Sequence, residues 1–288
     1  MSNPVPFGPN SETQDELRVM LKEIESWEKS QKDLWFWEKI GRLPFMLLDR
    51  LTPKIIQKKL GQAIDEMGSF VQTGGQYLVS ESAVLSKLRN EAVLGTAARV
   101  PQMELVDPLT LESARRLPIA VMDKTCEELV QSRTAFATAQ GATTGFGGLF
   151  TLAIDIPAIL GLSLKTIQEI AITYGYDPKE KLERIFVIKC LQFASADIVG
   201  KKAVLGDLSD FNNEDRQRES LSQLQGWREV IASYRDNFGW KKLFQLVPVA
   251  GALFGAMINR GTLQDVAEAA TMLYRKRRIL ERLRELES

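Results

Sequence analysis

The sequence contains no histidine among its 288 residues, and this absence limits its chemistry more than any other feature of composition. Without imidazole the chain cannot form a serine–histidine or cysteine–histidine nucleophile pair, a histidine-ligated zinc site or a histidine general base. Cysteine is also scarce, since Cys126 and Cys190 are the only two and both lie in apolar helical patterns typical of buried thiols. We therefore predict no disulfide scaffold, no catalytic residues, no metal and no cofactor.

The sequence also lacks an excess of either charge. It has 37 basic and 37 acidic side chains, so its formal net charge is zero. A protein that wraps nucleic acid normally carries a basic excess, and we therefore expect no nucleic-acid partner. The apolar fraction of 44% and the charged fraction of 26% disfavour both disorder and a polytopic membrane protein. The N-terminus has no basic start followed by an apolar core, so we expect a cytoplasmic protein without a secretory signal.

Strand signals are few, whereas apolar residues recur at helical spacing along most of the chain. Ser11 and Gln14 have the spacing of a capping box, which predicts a helix that runs to about Lys32. Asp177 and Pro178 predict another helix start, because aspartate suits an N-cap and proline suits a first turn. Further helices are predicted at 80–90, 119–140, 216–237 and 262–287. We predict an all-α fold with a flexible lead at 1–10 and a single helical domain at 11–288.

The last predicted helix carries two apolar rows with a seven-residue spacing. One row is Val266, Leu273 and Leu280, and the other is Met272, Ile279 and Leu286. Adjacent rows of this kind can form a packing seam, so a scaffold that self-associates through this helix is one possible function. The basic run at 275–278 is interpreted as a solvated face or one that compensates the helix dipole.

Two apolar, glycine-rich segments, 141–164 and 243–258, are the most unusual part of the sequence. Gly141 and Gly145 are four positions apart in the first, as are Gly251 and Gly255 in the second. Small residues at this spacing let another backbone lie closely against a helix, which offsets a cost of up to about 1 kcal/mol per glycine. We expect a core hairpin or packed pair. Shallow membrane insertion is the alternative, and true transmembrane spans are the least favoured.

Asp155 is the one charged residue of the first segment. An acid in apolar surroundings must be paired, hydrogen-bonded or neutralised, and we favour a structural hydrogen bond to a helix N-terminus or to Gln168. The alternative is that Asp155 and Glu169 converge on water or a metal ion. That arrangement would make the protein a carboxylate- or metal-dependent lipid-modifying hydrolase.

An aromatic–basic segment, which we define as residues 29–59, follows the first predicted helix. Its rings Trp35, Phe36 and Trp37 are consecutive, and basic residues outnumber acidic ones around them. Aromatic rings suit the interfacial zone of a bilayer and cations suit lipid phosphates, so Trp35, Phe36, Trp37, Lys39 and Arg42 are predicted to contact a membrane. The alternative is that the rings pack into the core and the basic side chains form a solvated face.

Several runs of the sequence resemble the EcsC family, over residues from about 14 to 275. The resemblance rests on a central run and a late run of residues: Gly141, Gly145, Gly147, Gly148, Asp155, Pro157, Gln168, Glu169, Tyr174 and Gly175, then Pro248, Gly251, Gly255 and Asn259. The family takes its name from a bacterial operon that also encodes the ATPase and membrane subunit of an ABC transporter. The resemblance therefore implies a bacterial protein linked to transport, secretion or envelope stress. It implies no catalytic mechanism, so these positions are predicted to be structural.

These observations together predict a non-enzymatic, membrane-associated or lipid-contacting protein, attached peripherally on the cytoplasmic side. A membrane surface or a lipid is its predicted partner. A membrane protein such as a transporter and a second copy of the chain are further candidates.

Overall fold

The computed structural model describes residues 12–32, 79–95, 108–145, 149–196, 198–209 and 248–287. Within these ranges the chain forms eight α-helices and no strand, which confirms the predicted all-α fold. The helices are α1 (Gln14–Lys32), α2 (Glu81–Gly95), α3 (Leu111–Ala114), α4 (Ile119–Gly145), α5 (Leu149–Thr173), α6 (Lys181–Ser195), α7 (Ile198–Ser209) and α8 (Pro248–Glu287). The predicted lead at 1–10, the predicted helix at 216–237 and the predicted membrane contacts Trp35, Phe36, Trp37, Lys39 and Arg42 lie outside the described residues.

Two predicted helix starts were wrong in detail. The capping box of α1 is formed by Thr13 and Glu16: the Thr13 backbone N–H donates to Glu16 Oε2 at 2.8 Å, and the Glu16 N–H donates to Thr13 Oγ1 at 3.3 Å. Asp177 does not open a helix, because its carboxylate accepts from the N–H of Lys179 at 2.9 Å and closes a turn instead. α6 begins at Lys181, after that turn, and its N-cap is Glu180.

The longest helix, α8, has 40 residues and packs against α1, α4, α5 and α6. It unites two predicted elements, because the second glycine-rich segment from Pro248 onward continues without a break into the last predicted helix. The first glycine-rich segment is divided instead. Gly141 and Gly145 belong to the end of α4, and α5 starts at Leu149. Gly147 and Gly148, between these helices, lie outside the described residues.

Contacts between side chains fix the direction of α8 relative to α4. Near the C-terminus of α8, Arg282 donates to the carbonyl of Leu117, just before α4 begins, at 2.5 Å. Two turns earlier in α8, Arg275 forms an ion pair with Asp123 in the second turn of α4, with an N···O distance of 2.9 Å. The contact moves forward along α4 as it moves backward along α8, so the two helices are antiparallel.

The same reasoning orients α5 and α1. Tyr174, directly after α5, contacts Asp123 near the start of α4, whereas Glu169 contacts Arg133 further along α4, so α5 is also antiparallel to α4. Hence α5 and α8 run parallel. α1 is antiparallel to α8, because its residue Glu23 pairs with Arg275 while its later residue Trp27 contacts Glu268.

These directions give the bundle two different ends. The charged end contains the last part of α8 (274–287), the starts of α1 and α4, and the end of α5. The apolar end contains the end of α4 (141–145), the first part of α5 (149–158) and the first part of α8 (248–258). α1 also points toward the apolar end and ends at Lys32, beside the middle of α8.

The apolar side chains form a main core and a smaller satellite cluster. The main core surrounds the middle of α8 and includes Leu88, Met122, Leu129, Ile167, Ile170, Leu191, Phe193, Leu263, Ala270 and Tyr274. The satellite cluster consists of Leu17, Ile24, Ile119, Ile279 and Leu283. Members of both seven-residue rows, Val266, Leu273 and Ile279, are therefore buried inside the chain itself. Self-association through the C-terminal helix stays a prediction that these buried residues do not support.

Candidate functional site

The basic run at 275–278 lies against three other helices and does not form a solvated face. Lys276 Nζ lies 2.7 Å from Glu28 Oε1 of α1, Arg277 Nη1 lies 2.8 Å from Glu183 Oε2 of α6, and Arg275 pairs with Asp123 of α4. The side chain of Arg278 is only 4% exposed. The interpretation of this run as a solvated face is therefore wrong. Packing on several sides of α8 brings a carboxylate from another helix to Arg275, Lys276 and Arg277, which offsets part of the cost of burial.

Glu183 is the most deeply buried acid of this network. It accepts from the hydroxyl of Tyr274 at 2.6 Å and from Arg277 at 2.8 Å. The guanidinium of Arg277 also lies over the ring of Tyr176, 4.1 Å from its centroid, and over the ring of Phe186 at 5.0 Å. Burial raises the pKa of Glu183, while Arg277 and Tyr274 oppose that shift by stabilising the carboxylate.

Asp123, whose side chain is 31% exposed, forms a second and only partly buried centre beside the first. The hydroxyl of Tyr174 donates to its Oδ1 at 2.6 Å, and Arg275 pairs with its Oδ2. Burial raises the pKa of Asp123, and the contacts from Tyr174 and Arg275 lower it. Burial also raises the pKa of the neighbouring thiol, Cys126, so this cysteine stays protonated near neutral pH and is a poor nucleophile.

Two further arginines of α8 bind backbone carbonyls at helix ends. Arg278 donates twice to the carbonyl of Tyr174, at 3.0 and 2.6 Å, and so caps the C-terminal end of α5. Arg282 donates to the carbonyls of Arg115 and Leu117 and to Glu12. Glu12 in turn accepts from the N–H of Ile119 at 2.6 Å, at the start of α4. Arg282 thereby joins the starts of α1 and α4 to the end of α8.

The arrangement of this charged end is suited to holding helices together. Each of the buried or partly buried acids Glu12, Asp123 and Glu183 is engaged by an arginine, and two of them also by a tyrosine. Within the described residues, no group of three histidine, cysteine or acidic side chains could hold a metal ion. The network therefore joins five segments of the chain without presenting a set of metal ligands there.

The predicted pair Asp155 and Glu169 is not a site, because both residues lie on α5, fourteen positions apart. An α-helix rises 1.5 Å per residue, which separates them by about 21 Å along the axis. Glu169 is instead 3% exposed and accepts two bonds from Arg133, at 2.7 and 2.6 Å. The hypothesis of a hydrolase that uses both carboxylates is therefore wrong.

The favoured partner for Asp155 fails for the same reason. Gln168 lies thirteen positions further along α5, about 20 Å away, and its side chain donates to the carbonyl of Leu164 at 3.2 Å. The side chain of Asp155 itself lies outside the described residues, so a bond to a helix N-terminus stays a prediction.

Comparison with known proteins gives the chain its family. The model of the EcsC protein family matches residues 18–279. The chain belongs to the EcsC protein family. It is 56% identical to the protein YdbA of Bacillus subtilis (strain 168) over 277 residues, which cover 96% of this chain and 98% of YdbA. It is 30% identical to Protein EcsC of the same organism over 165 residues, which cover 57% of this chain and 67% of that protein. No solved structure matches the chain.

Two residues of the EcsC-like motif form the turn that ends α5. Tyr174 is fully buried and bonded to Asp123, and its carbonyl receives Arg278. Gly175 has a φ of +79°, and a Cβ atom there would lie 2.5 Å from Cγ of Arg115. Only glycine fits this left-handed position without strain, because other residues would also collide with Arg115.

The remaining motif residues occupy helices near the apolar end. Pro248 is the first residue of α8, where the missing N–H costs nothing, and α5 continues through Pro157. Asn259 is fully buried, and Gly141 is buried at the end of α4. The neighbours of Gly145, Gly251 and Gly255 lie outside the described residues. At Gly161, in the same apolar segment, an added Cβ would meet nothing within 4 Å, so no backbone lies close at that position.

The arginine network was not among the predicted features, although the sequence carries one signal for it. Arg275, Arg278 and Arg282 have the spacing i, i+3, i+7, which brings three guanidinium groups to one face of a helix. That face also carries the buried Ile279, so it could have been recognised as an inward one.

No helix in the described part of the chain combines the length and apolarity that crossing a bilayer requires.

Proposed function

We propose that this EcsC-family protein is a non-enzymatic protein that associates peripherally with the cytoplasmic surface of a membrane and contacts lipid there. The observation that carries the proposal is the common end of the bundle at which α5 and α8 both begin and α4 ends. The three helix parts at this apolar end have few charges, with Asp155 as the one charged residue among 141–145, 149–158 and 248–258.

The aromatic–basic segment continues from α1 along the chain. α1 ends at Lys32, and Trp35 follows three residues later in the sequence. α1 points toward the apolar end, which is why we include this segment in the proposed contact. Apolar helix ends next to a segment rich in rings and cations are what an interfacial contact with anionic lipid requires.

Exposed apolar side chains lend further support. Met257 of α8 is 69% exposed at the apolar end, whereas Leu286, near the other end of the same helix, is 43% exposed. The opposite end of the bundle has its arginines paired internally with acids and carbonyls, so those cations are committed to the fold. The resemblance to EcsC supports transport, secretion or envelope stress as the setting, with a membrane protein such as a transporter as a candidate partner.

Co-sedimentation with vesicles tests the proposal. We expect the wild-type protein to bind vesicles of equal parts phosphatidylglycerol and phosphatidylcholine at about 100 mM salt, and to bind pure phosphatidylcholine less, because anionic lipid attracts the basic residues. Met257→Glu should weaken binding several-fold, since it puts a carboxylate where lipid contact is proposed. Leu286→Glu on the same helix is the matched control and should bind as wild type does.

Two results would contradict the proposal. One is the absence of binding to anionic vesicles by a well-folded wild-type sample. The other is an equal effect of Met257→Glu and Leu286→Glu, which would mean that added negative charge alone, regardless of position, controls the interaction.

A further inference from the structure

Near the apolar end, three helices carry an exposed or half-exposed side chain of a kind that suits a lipid surface. Phe136 of α4 is 59% exposed, Arg260 of α8 is exposed and Lys165 of α5 is half-buried. Within the described part of the chain, neither of these two cations is paired with an acid. Arg133 differs, because it is bound to Glu169. Lys165 and Arg260 thus also differ from the arginines of the charged end, which bind acids and carbonyls of the fold.

Phe136 and Arg260 lie at nearly the same level of the bundle. The ion pair between Asp123 and Arg275 sets the register of the antiparallel helices α4 and α8. Phe136 is thirteen residues further along α4 than Asp123, so it lies opposite about position 262 of α8. Arg260 is two residues from that position, which separates the two residues by about 3 Å along the bundle axis.

Lys165 reaches the same level on α5. Glu169 of α5 contacts Arg133 of α4, and the two helices are antiparallel. Lys165 is one turn closer than Glu169 to the apolar end, so it lies opposite about position 137 of α4, next to Phe136. Three helices therefore place one aromatic ring and two cations at a common level.

The exposed residues of α8 change in type with distance from the apolar end. Met257 is 69% exposed, Arg260 follows one turn later, and two exposed acids, Asp265 and Glu268, come next. On α4 the exposed acids are likewise further from the apolar end than Phe136. Apolar residues, then cations, then acids is the order that suits the hydrocarbon, the phosphates and the water at the surface of an anionic bilayer.

The part of the bundle beyond this level is about as long as one leaflet is thick. α8 rises about 18 Å between Arg260 and Pro248. The hydrocarbon core of a bilayer is about 30 Å thick, so one leaflet contributes about 15 Å. Asp155 is the one charged residue among 137–145, 149–164 and 248–259, and at that depth its carboxyl group would have to be bonded or protonated.

We propose that the bundle stands on the membrane with α8 steep, and that Lys165 and Arg260 bind the phosphate groups of anionic lipids. Phe136 then lies at the same interface, and the apolar end enters the near leaflet without crossing the bilayer. This orientation rests on the proposed function. It adds the side chains that contact the lipid headgroups and the depth that the bundle reaches.

Vesicle binding by charge variants tests the headgroup contacts. Arg260→Gln and Lys165→Gln should each weaken binding to vesicles of equal parts phosphatidylglycerol and phosphatidylcholine about fivefold, which is the typical contribution of one cation at an anionic surface. Arg284→Gln is the matched control, because it removes the same charge from an exposed position of α8 at the charged end. It should bind as wild type does. Equal losses in Arg260→Gln and Arg284→Gln, or no loss in Arg260→Gln, would overturn the proposal.

An apolar pair of variants tests which face meets the lipid. Phe136→Ser should weaken binding several-fold to anionic vesicles and also to pure phosphatidylcholine, because the ring is lost from the interface. Leu94→Ser is the control: Leu94 is 79% exposed at the end of α2, where Glu91 pairs with Lys124 near the start of α4. It should have no effect. A larger loss in Leu94→Ser than in Phe136→Ser would place the contact on another face and overturn the orientation.

Nitroxide labels along α8 measure the depth directly. Met257→Cys, Gln264→Cys and Leu286→Cys each add one exposed cysteine to the full chain, whereas Cys126 and Cys190 are fully buried and should take no label. On anionic vesicles, the label at 257 should collide with oxygen dissolved in the lipid. The label at 264, about 10 Å further along the helix, and the label at 286 should collide with a water-soluble nickel chelate.

The label results separate this orientation from the proposed function. Equal accessibility at 257 and 286 on bound protein would mean that α8 lies along the surface, and a label at 257 in water would mean that another face makes the contact. Either result would overturn the orientation and leave membrane association in place. Absence of binding by the well-folded wild type would overturn both.

Discussion

The two ends of α8 belong to one continuous helix, yet they differ in the kind of residue that they carry. Its last part, 274–287, reaches acids and carbonyls at α1, α4, α5 and α6 through arginine and lysine side chains. Its first part, 248–258, has no charged residue and contains Gly251 and Gly255. Charged contacts have directional partners, so the charged end fixes how the helices align along their axes. The sequence of the apolar end offers one charge, Asp155, for contacts of that kind, and this is the end that we propose for contact with lipid.

The largest expected effect is at Arg282, whose loss would break the charged end. Arg282→Met would leave Glu12 and the carbonyls of Arg115 and Leu117 buried without their donor. Removal of one partner from a buried ion pair typically costs about 3–5 kcal/mol. Urea unfolding followed by circular dichroism should show this loss in the free energy of unfolding.

Arg284→Met is the control for this change, since Arg284 is exposed on the same helix and the same charge is removed. It should change the free energy of unfolding by less than about 0.5 kcal/mol. Similar values for the two variants would mean that the buried network contributes no more than a surface charge.

Two glycine substitutions sharpen the comparison between the ends. Gly175→Ala, at the charged end, should cost about 3 kcal/mol, because the left-handed φ and the 2.5 Å approach to Arg115 both oppose a Cβ atom. Gly161→Ala, nearer the apolar end, should instead stabilise the protein by about 0.5–1 kcal/mol, because alanine is the better helix former and its methyl group meets nothing within 4 Å. Thermal unfolding should show shifts of opposite sign, and a loss of stability in Gly161→Ala would indicate a neighbour at that position.

The last expected effect concerns pH. Burial raises the pKa of Asp123 above its usual value near 4, so the folded protein holds this proton more tightly than the unfolded chain. The stabilisation from that proton is complete below the unfolded pKa and is lost as pH rises through the folded pKa. The free energy of unfolding of wild type minus that of Asp123→Asn should therefore fall from pH 4 upward, by about 1.4 kcal/mol per unit of pKa shift. Urea unfolding at several pH values measures this difference. An increase of the difference with pH would mean that folding lowers the pKa of Asp123.

The sequence predicted the helices of the fold better than it predicted the contacts between them. The spacing of apolar residues is a local property. It was enough to predict the helix that ends at Lys32, the helix that begins at Ile119 and the helix that ends at Glu287. The partners of Arg277 and Arg282 are not local, since Glu183 and Glu12 lie far away in the chain and only packing brings them together. A run of like charges on a helix is usually solvated, and that expectation failed here because α8 is surrounded by other helices.

Helix geometry alone argues against the predicted pair Asp155 and Glu169, because fourteen residues of one continuous helix rise about 21 Å. The capping box at the start of α1 involves Thr13 and Glu16, which have the same spacing as the predicted pair Ser11 and Gln14. The choice between two such overlapping boxes depends on where the first turn packs, and Glu12, bound to Arg282, holds Thr13 at that position.

α8 follows every other described helix in the chain, so those helices emerge from the ribosome before it does. They emerge, therefore, before the helix around which they pack. Until it emerges, Glu12, Asp123 and Glu183 lack the cations that accompany them in the finished bundle. A carboxylate without a cation is costly to bury, so the nascent helices should remain loosely associated. Their acids should stay hydrated, and chaperones can bind their exposed apolar faces. Closure of the bundle would then follow the arrival of the arginines, as a late step of folding.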